Sequence, residues 1–170
     1  MTIPFHIETC KSTNDEAKAL IDRGFVSPIV IYADKQTQGR GRNGKSWWSP
    51  EGMGLYASLV TQRPPDAAHD IFLTMWLGTA IVRGLRQYTL LDIHQIGVND
   101  IYLDERKLGG ILCEIYKERL IVGVGLNLYR PTKVRKDLIS SACWLNEFGS
   151  EERIVIPKLL NILSEAVCRT

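Results

Sequence analysis

Metal-binding side chains, long apolar runs and charge of one sign are all in short supply in this 170-residue chain. Its four cysteines, Cys10, Cys113, Cys143 and Cys168, and its three histidines, His6, His69 and His94, are widely scattered. No C-x-x-C pair occurs and no histidine stands at ligand spacing from a cysteine, which argues against a structural zinc site and against a disulfide framework. The cysteines read as thiols of a reducing compartment. The longest apolar run, Ile71 to Val82, is too short to span a bilayer. Met1 is followed by Thr2-Ile3-Pro4-Phe5 rather than by a basic-then-apolar leader. A cytoplasmic protein with no membrane contact is therefore expected. With 21 Lys and Arg against 19 Asp and Glu, the formal charge of +2 argues neither for nor against nucleic acid. Repeats, low-complexity tracts and linkers are also lacking, so residues 1–170 read as one domain large enough for a proper core.

What the chain does have is concentrated between Gln36 and Pro50. Gly39, Gly41 and Gly44 are interleaved there with Arg40, Arg42 and Lys45, and Trp47 and Trp48 follow at once. Glycine lets the backbone turn sharply and approach a ligand closely. Arginine presents a planar fork of donors suited to carboxylate and phosphate oxygens. An indole can stack on a flat heterocycle. Together these residues describe a loop that closes over an anionic, partly aromatic ligand, with a nucleotide as the first candidate. Two phosphate-binding formulas also match by letter: Gly39-x-Gly41-x-x-Gly44 and Gly39-x-x-x-x-Gly44-Lys45-Ser46. Both require a helix to open at the glycines, so that its first amides face phosphate. Here Pro50, Gly52 and Gly54 come next and Leu55 to Val60 reads as a strand. The context fails for both.

Along the rest of the chain, Phe5 to Glu8 is a short strand. Thr13 and Glu16 then stand at capping-box spacing before an apolar stripe of Ala17, Leu20 and Ile21 that ends at Gly24. Ile29 to Ala33 reads as a strand leading into the glycine loop. Arg63-Pro64-Pro65 breaks the chain, and Ala67 to Tyr88 is the longest helical pattern and the expected core helix. Strands are expected over Val98 to Leu103, Lys107 to Ile115 and Ile121 to Leu128, and a helix from Pro157 to about Cys168. In the last strand Val122, Val124, Leu126 and Leu128 share one face, while Gly123, Gly125 and Asn127 leave the other nearly bare. A bare face beside Gly109-Gly110 makes room either for a ligand or for tight packing of another element. Mixed elements without strict alternation indicate an α+β domain: a mixed, mostly antiparallel sheet with helices packed on one side. An exposed edge of such a sheet makes a homodimer a further expectation.

Several short pieces occur in one order: Ser12-Thr13-Asn14; Gln36-x-x-Gly39-Arg40-Gly41-Arg42-x-Gly44-x-x-Trp47; Asn99-Asp100-Ile101; Lys107-Leu108-x-Gly110-Ile111-Leu112; and Gly123-x-Gly125-x-Asn127. The series, from about Glu8 to the last helix, closely resembles the catalytic domain of biotin protein ligases in the biotin/lipoate ligase superfamily. The resemblance implies a class II aminoacyl-tRNA synthetase-like fold. It also implies ATP-dependent activation of biotin to biotinyl-5′-AMP and transfer to a lysine of a biotin carboxyl carrier domain, with magnesium accompanying ATP. Ser12, Thr13 and Gln36 resemble positions that hold the ureido ring of biotin, and Gly110 a close backbone approach to biotin. Arg40 and Arg42 resemble those that grip carboxylate and phosphate. Trp47 resembles an aromatic that packs on adenine or shields the adenylate, and Lys107 the lysine that contacts the activated carbonyl and α-phosphate. Asn99 and Asp100 resemble polar residues near the phosphates, with Asp100 also a candidate to deprotonate the incoming lysine. Gly123, Gly125 and Asn127 resemble the strand beside the nucleotide.

The chain departs from the family pattern in three ways. Ile96-Gly97-Val98 stands where the family writes Lys-Trp-Pro, removing one phosphate-facing cation and one aromatic. This leaves three alternatives: lower activity, compensation by another cation such as Lys45, or loss of the first step. The alternative function is accordingly a non-catalytic relative that binds biotin or its adenylate, or a lipoate/octanoate-type acyl ligase. Neither the DNA-binding domain nor the small β-barrel found at the two ends of some relatives is recognised, so no DNA contact is expected. Gln38 stands where a small residue is common, and nothing in the sequence explains it.

Overall fold

A computed structural model describes residues 4–25, 28–63, 70–149 and 155–168. Seven strands, β1 (Phe5–Cys10), β2 (Ile29–Gln36), β3 (Gly54–Gln62), β4 (Ile93–Ile96), β5 (Asp100–Leu103), β6 (Arg106–Tyr116) and β7 (Arg119–Asn127), form one sheet in the order β1-β2-β3-β7-β6-β5-β4. Three helices accompany it: α1 (Thr13–Asp22), α2 (Asp70–Thr89) and α3 (Ile156–Cys168). Among the described strands only β1 and β2 pair in parallel, joined by α1 as the crossover that a parallel pair requires. Every other pair is antiparallel. The α+β class and the mostly antiparallel sheet are as the sequence indicates.

Alternation along β2 fixes which helix goes where. Val30 points into the main core with Leu55, Ala57, Val122 and Val124, under Leu77, Ile81 and Leu85 of α2 and Leu159 and Leu163 of α3. Ile29 and Ile31 point the opposite way, into a smaller cluster with Ala17 of α1, Val60 and Ile121. Helices on one side thus holds for α2 and α3 but not for α1. The short crossover needs only the strip of apolar residues that the first face leaves uncovered.

Two local expectations are not met, and a third is only partly within the described residues. α1 starts one residue after Ser12, which makes no side-chain cap, and the Thr13–Glu16 capping box does not form. The amide N–H of Thr13 instead donates to Gln36 Oε1 at 2.9 Å, so a neighbouring strand end does the work of a cap. Val98 and Asn99 belong to the turn between β4 and β5 rather than to a strand, with Gly97 at φ 61°. The described part of the core helix runs over Asp70–Thr89; the expectations for Ala67 to His69 and for Pro64-Pro65 lie outside the described residues.

Candidate active site

The glycine-rich segment joins β2 to β3 and folds back on itself. Gly41 N–H donates to Lys45 O at 2.7 Å and Trp47 N–H to Gly39 O at 2.8 Å. Between them Arg42–Gly44 forms a single turn with Asn43 and Gly44 at φ 56° and 72°, the left-handed region that asparagine and glycine tolerate. Gly39 is required by space: a Cβ there would fall 2.5 Å from Trp47 O. Apart from this single 3-10 turn no α-helix begins at these glycines, in keeping with the failed phosphate-loop context.

This loop, the start of α1, and the ends of β5, β6 and β7 enclose a cavity of about 490 Å³. Ser12, Thr13, Gln36, Arg40, Arg42, Trp47, Asn99, Asp100, Lys107, Gly110, Gly123, Gly125 and Asn127, the whole set expected from sequence, line it. The structure brings together residues spread over more than a hundred positions.

One corner is neutral and polar. Ser12 and Thr13 are buried, and Gln36 turns its carbonyl to the Thr13 amide and its Nε2 to Ser49 Oγ at 2.9 Å. The lip is cationic, and three of its cations, Arg40, Arg42 and Lys107, meet a partner. Arg40 makes a bidentate pair with Asp15 at 2.8 and 2.5 Å, and that hydrogen bond chiefly holds the Asp15 carboxyl below its ordinary value. Arg42 donates to Asn99 Oδ1 at 3.1 Å, and Lys107 Nζ donates to Asp100 Oδ1 at 2.8 Å. Asn99 Nδ2 also donates to Asp100 Oδ1 at 3.0 Å, joining the last residue of the β4–β5 turn and the first of β5 into one acceptor group for both cations.

The floor is aromatic. The Trp47 indole rests on β7 at Gly125, with Gly110 close by, and Lys107 Nζ stands 5.5 Å from its ring centre, within cation–π range. The buried Nε1 of Trp47 has no hydrogen-bond partner among the described residues. The bare face of β7 is therefore filled by side chains from other elements: Trp47 covers Gly125, and Asn14 of α1 covers Gly123, where a Cβ would fall 2.5 Å from Asn14 Oδ1. The packing reading of that face holds at both glycines, which also border the cavity.

A second wall escaped the sequence reading. Residues 135–144 run beside β6, with Lys107 N–H donating to Ser141 O at 2.9 Å and Cys143 N–H to Lys107 O at 3.0 Å. Arg135, Asp137, Leu138, Ser141, Ala142 and Trp144 thereby line the cavity. Asn127 ties this wall down, its Nδ2 donating to Cys143 O at 3.1 Å. Neither apolar period nor spacing marks the segment, and only its cation-rich start at Lys133 to Lys136 was a signal. Burial pushes the Cys10 and Cys143 thiols up to about 11, so neither is a thiolate nucleophile at neutral pH. Among the described residues no group of three or more His, Cys, Asp or Glu gathers as a metal site.

A family model for biotin/lipoate A/B protein ligases matches residues 7–128, well over half of the chain. The chain belongs to that family. It is 28% identical over 151 residues to the bifunctional ligase/repressor BirA of Bacillus subtilis, covering 85% of this chain and 46% of that protein. To BirA of Escherichia coli it is 34% identical over 116 residues, covering 64% of this chain and 36% of that protein. The biotin–[acetyl-CoA-carboxylase] ligase of Mycobacterium tuberculosis is 29% identical over 137 residues, 76% of this chain and 51% of that protein. The chain thus spans about half, or less, of the length of these curated relatives. Among solved structures, the biotin protein ligase of Aquifex aeolicus in complex with biotin and ATP superimposes with a TM-score of 0.83 at 29% identity, covering 99% of this chain and 72% of that one. Family membership accounts for the ordered series of short motifs, whose pieces belong to five different elements and meet only in the fold. No described helix is long and apolar enough to cross a membrane.

Proposed function

We propose that this domain activates biotin with ATP and transfers the biotinyl group to a lysine of a biotin carboxyl carrier domain. The observation that carries the proposal is the layout of the cavity. A neutral polar corner at Ser12, Thr13 and Gln36 and a cationic lip at Arg40, Arg42 and Lys107 line one space, with the Trp47 indole between glycines as its floor. That layout suits a molecule with a polar ring at one end, an anionic head at the other and a flat heterocycle beside it.

In the first step a biotin carboxylate oxygen attacks the α-phosphorus of ATP. A P–O bond forms, the bond to the β-phosphate oxygen breaks, and pyrophosphate leaves. The carboxylate is ionised near neutral pH and needs no general base. The obstacle is the approach of two anions and the crowded charge of the transition state, which fixed cations relieve. Arg40 and Arg42 would hold carboxylate and phosphate, and Lys107, already aimed into the cavity by Asp100, would meet the α-phosphate and the acyl oxygen. Trp47 would pack on the adenylate, with Gly123, Gly125, Asn99 and Asn127 lining its bed and the Gly110 backbone approaching biotin. In the second step the lysine amine attacks the acyl carbon, the acyl–phosphate bond breaks and AMP leaves. Asp100 faces that centre as a carboxylate, so a role in taking the amine proton is part of the proposal. Magnesium would enter as the counterion of ATP, as it commonly does at phosphate sites.

Ile96 does not line the cavity, whereas Arg40, Arg42, Lys45, Lys107 and Arg135 do, and these are the cations proposed to stand in for the absent family lysine. The test is transfer of biotin to a carrier domain, run with ATP and biotin and again with preformed biotinyl-adenylate, with lipoate in a parallel arm. Product in both biotin arms, lost with Lys107→Ala or Arg42→Ala, is the expected result. Product from preformed adenylate alone would reduce the proposal to the second step. Product with lipoate alone would replace biotin by another acid.

A further inference from the structure

The turn that brings Asn99 to the cavity is held from behind by a side chain that does not line it. Alternation puts Gln95 on the same face of β4 as Ile93, which is buried in the core under α2. A polar amide thus stands where the pattern asks for an apolar residue. It is packed against α2 so closely that a Cβ on Gly78 would fall 2.4 Å from Gln95 Nε2. From there Nε2 donates to Val98 O at 2.8 Å, and Oε1 lies 3.1 Å from Thr79 Oγ1. A carbonyl only accepts, so the amide can be seated only this way round. The single Thr79 proton is also drawn to Met75 O at 3.0 Å, which leaves the bond to Val98 as the firm one.

Asn99 depends on that bond for a geometrical reason. The direction of a Cα–Cβ bond is set by the two peptide planes that meet at its Cα. At Asn99 the following peptide is held by β6, whose Ile111 N–H donates to Asn99 O at 2.8 Å. The preceding peptide carries Val98 O and comes one residue after Gly97, whose φ of 61° marks the freest backbone in the turn. Gln95 holds that second plane. Asp100 does not share the dependence, because it lies in β5 and is paired with Ile96 on one side and Gly110 on the other. The consequence passes to a cation instead: among the described residues, Asn99 is the one hydrogen-bond partner of the Arg42 guanidinium, at 3.1 Å.

We infer that Gln95 is a positioning residue which, through the Val98–Asn99 peptide and from outside the cavity, orients Asn99 and thereby Arg42 toward the phosphate end. Its effect on rate rests on the proposed activation of biotin with ATP; its effect on the Asn99 side chain does not.

The experiment compares the wild type with Gln95→Leu, which keeps the volume and removes the donor. In biotin-dependent release of pyrophosphate, kcat/KM for ATP is expected to fall by at least about fivefold, the worth of one ordinary hydrogen bond. Affinity for biotin, measured by calorimetry without ATP, should change by less than about twofold, because the polar corner is built on other elements. In an Asn99→Ala background the same substitution should cost less than about twofold, since the group that it orients is gone. An equal loss in both backgrounds would be a merely structural effect and would overturn the inference, as would an unchanged kcat/KM in folded Gln95→Leu. Gln95→Glu keeps the size, cannot donate to Val98 O as a carboxylate, and decides the matter if Gln95→Leu does not fold. The side-chain amide resonances of Asn99, assigned by their loss in Asn99→Ala, should shift in either variant. Resonances that stay in place would overturn the inference whether or not the protein turns over. A wild type that releases no pyrophosphate with biotin would overturn the proposed reaction instead, and the resonances would still decide the role of Gln95.

Discussion

The Trp47 indole and Gly125 are in direct contact: a Cβ built on the glycine would fall 2.6 Å from both Cε2 and Nε1 of the ring. Gly125 has an ordinary strand conformation, paired with Tyr56 on one side and Gly110 on the other. Alanine there would not strain the backbone. Its effect would fall on the indole, which must lift off β7 into the space proposed for the adenylate. Gly125→Ala is therefore expected to lower the rate of biotinyl-adenylate formation by at least about tenfold while shifting the melting temperature by less than about 3 °C. Intrinsic fluorescence should move to the red as the ring gains solvent. Unchanged adenylate formation in a folded variant would mean that the indole takes no part in seating the nucleotide.

Lys107 and Asp100 give a second separation of roles. Asp100 Oδ1 receives hydrogen bonds from Lys107 Nζ and Asn99 Nδ2, which is how a counterion behaves that aims a cation. Asp100→Asn keeps the shape and removes the charge. If the residue chiefly positions Lys107, adenylate formation should fall, by roughly tenfold, while transfer from preformed adenylate changes less than about threefold. If it takes the amine proton, transfer should fall by about 100-fold and become steeper with rising pH. Full transfer from preformed adenylate would remove the proton-acceptor role altogether.

Most of the fold was legible because its signals are local. Alternation in Leu55 to Val60 and in Ile121 to Leu128, and the break at Gly24, each report on a few neighbouring residues. The site residues were legible because they come in short motifs with unusual chemistry. Gly123 and Gly125 show where this stops: the sequence leaves a bare face but does not name Asn14 and Trp47 as its cover. Gln36 capping α1 across a strand, the placement of α1 apart from α2 and α3, and the wall at 135–144 are likewise tertiary choices.

Arg40 and Asp15 supply a pH dependence whose sign can be worked out. The Asp15 carboxyl is held below its ordinary 3.8, first by the Arg40 hydrogen bond, against an opposing contribution from burial. A depressed carboxyl contributes stability that is fully present above its unfolded-state value and is lost as pH falls through the folded-state one. The stability gap between wild type and Asp15→Asn should therefore be constant from neutral pH down to about pH 5 and close only below about pH 4. The two side chains are 36% and 39% exposed, so the gap should stay under about 1 kcal/mol and shrink in salt. An incoming carboxylate competes with Asp15 for the same guanidinium. Asp15→Asn is accordingly expected to tighten biotin binding by about twofold to fivefold at low salt. A gap that opens on acidification, or weaker biotin binding, would contradict this account.

Ile96 tests whether the cavity lacks a cation. It is 47% exposed at the end of β4, opposite Asp100, and does not line the cavity, whereas Lys45 on the glycine loop and Arg135 on the facing wall do. Arg135 is held in place by Asp137, its Nε and Nη2 donating at 3.1 and 2.8 Å. If those two residues carry the charge, Ile96→Lys should change adenylate formation by less than about threefold, because a transition state already met by fixed cations gains little from another at the rim. Lys45→Ala and Arg135→Ala should each lower it by about tenfold, and the double variant by more. If Ile96→Lys instead raises the rate by tenfold or more while Lys45→Ala and Arg135→Ala do nothing, then the phosphate end is under-charged in this protein. Ile96 would then limit the first step and leave transfer from preformed adenylate unaffected.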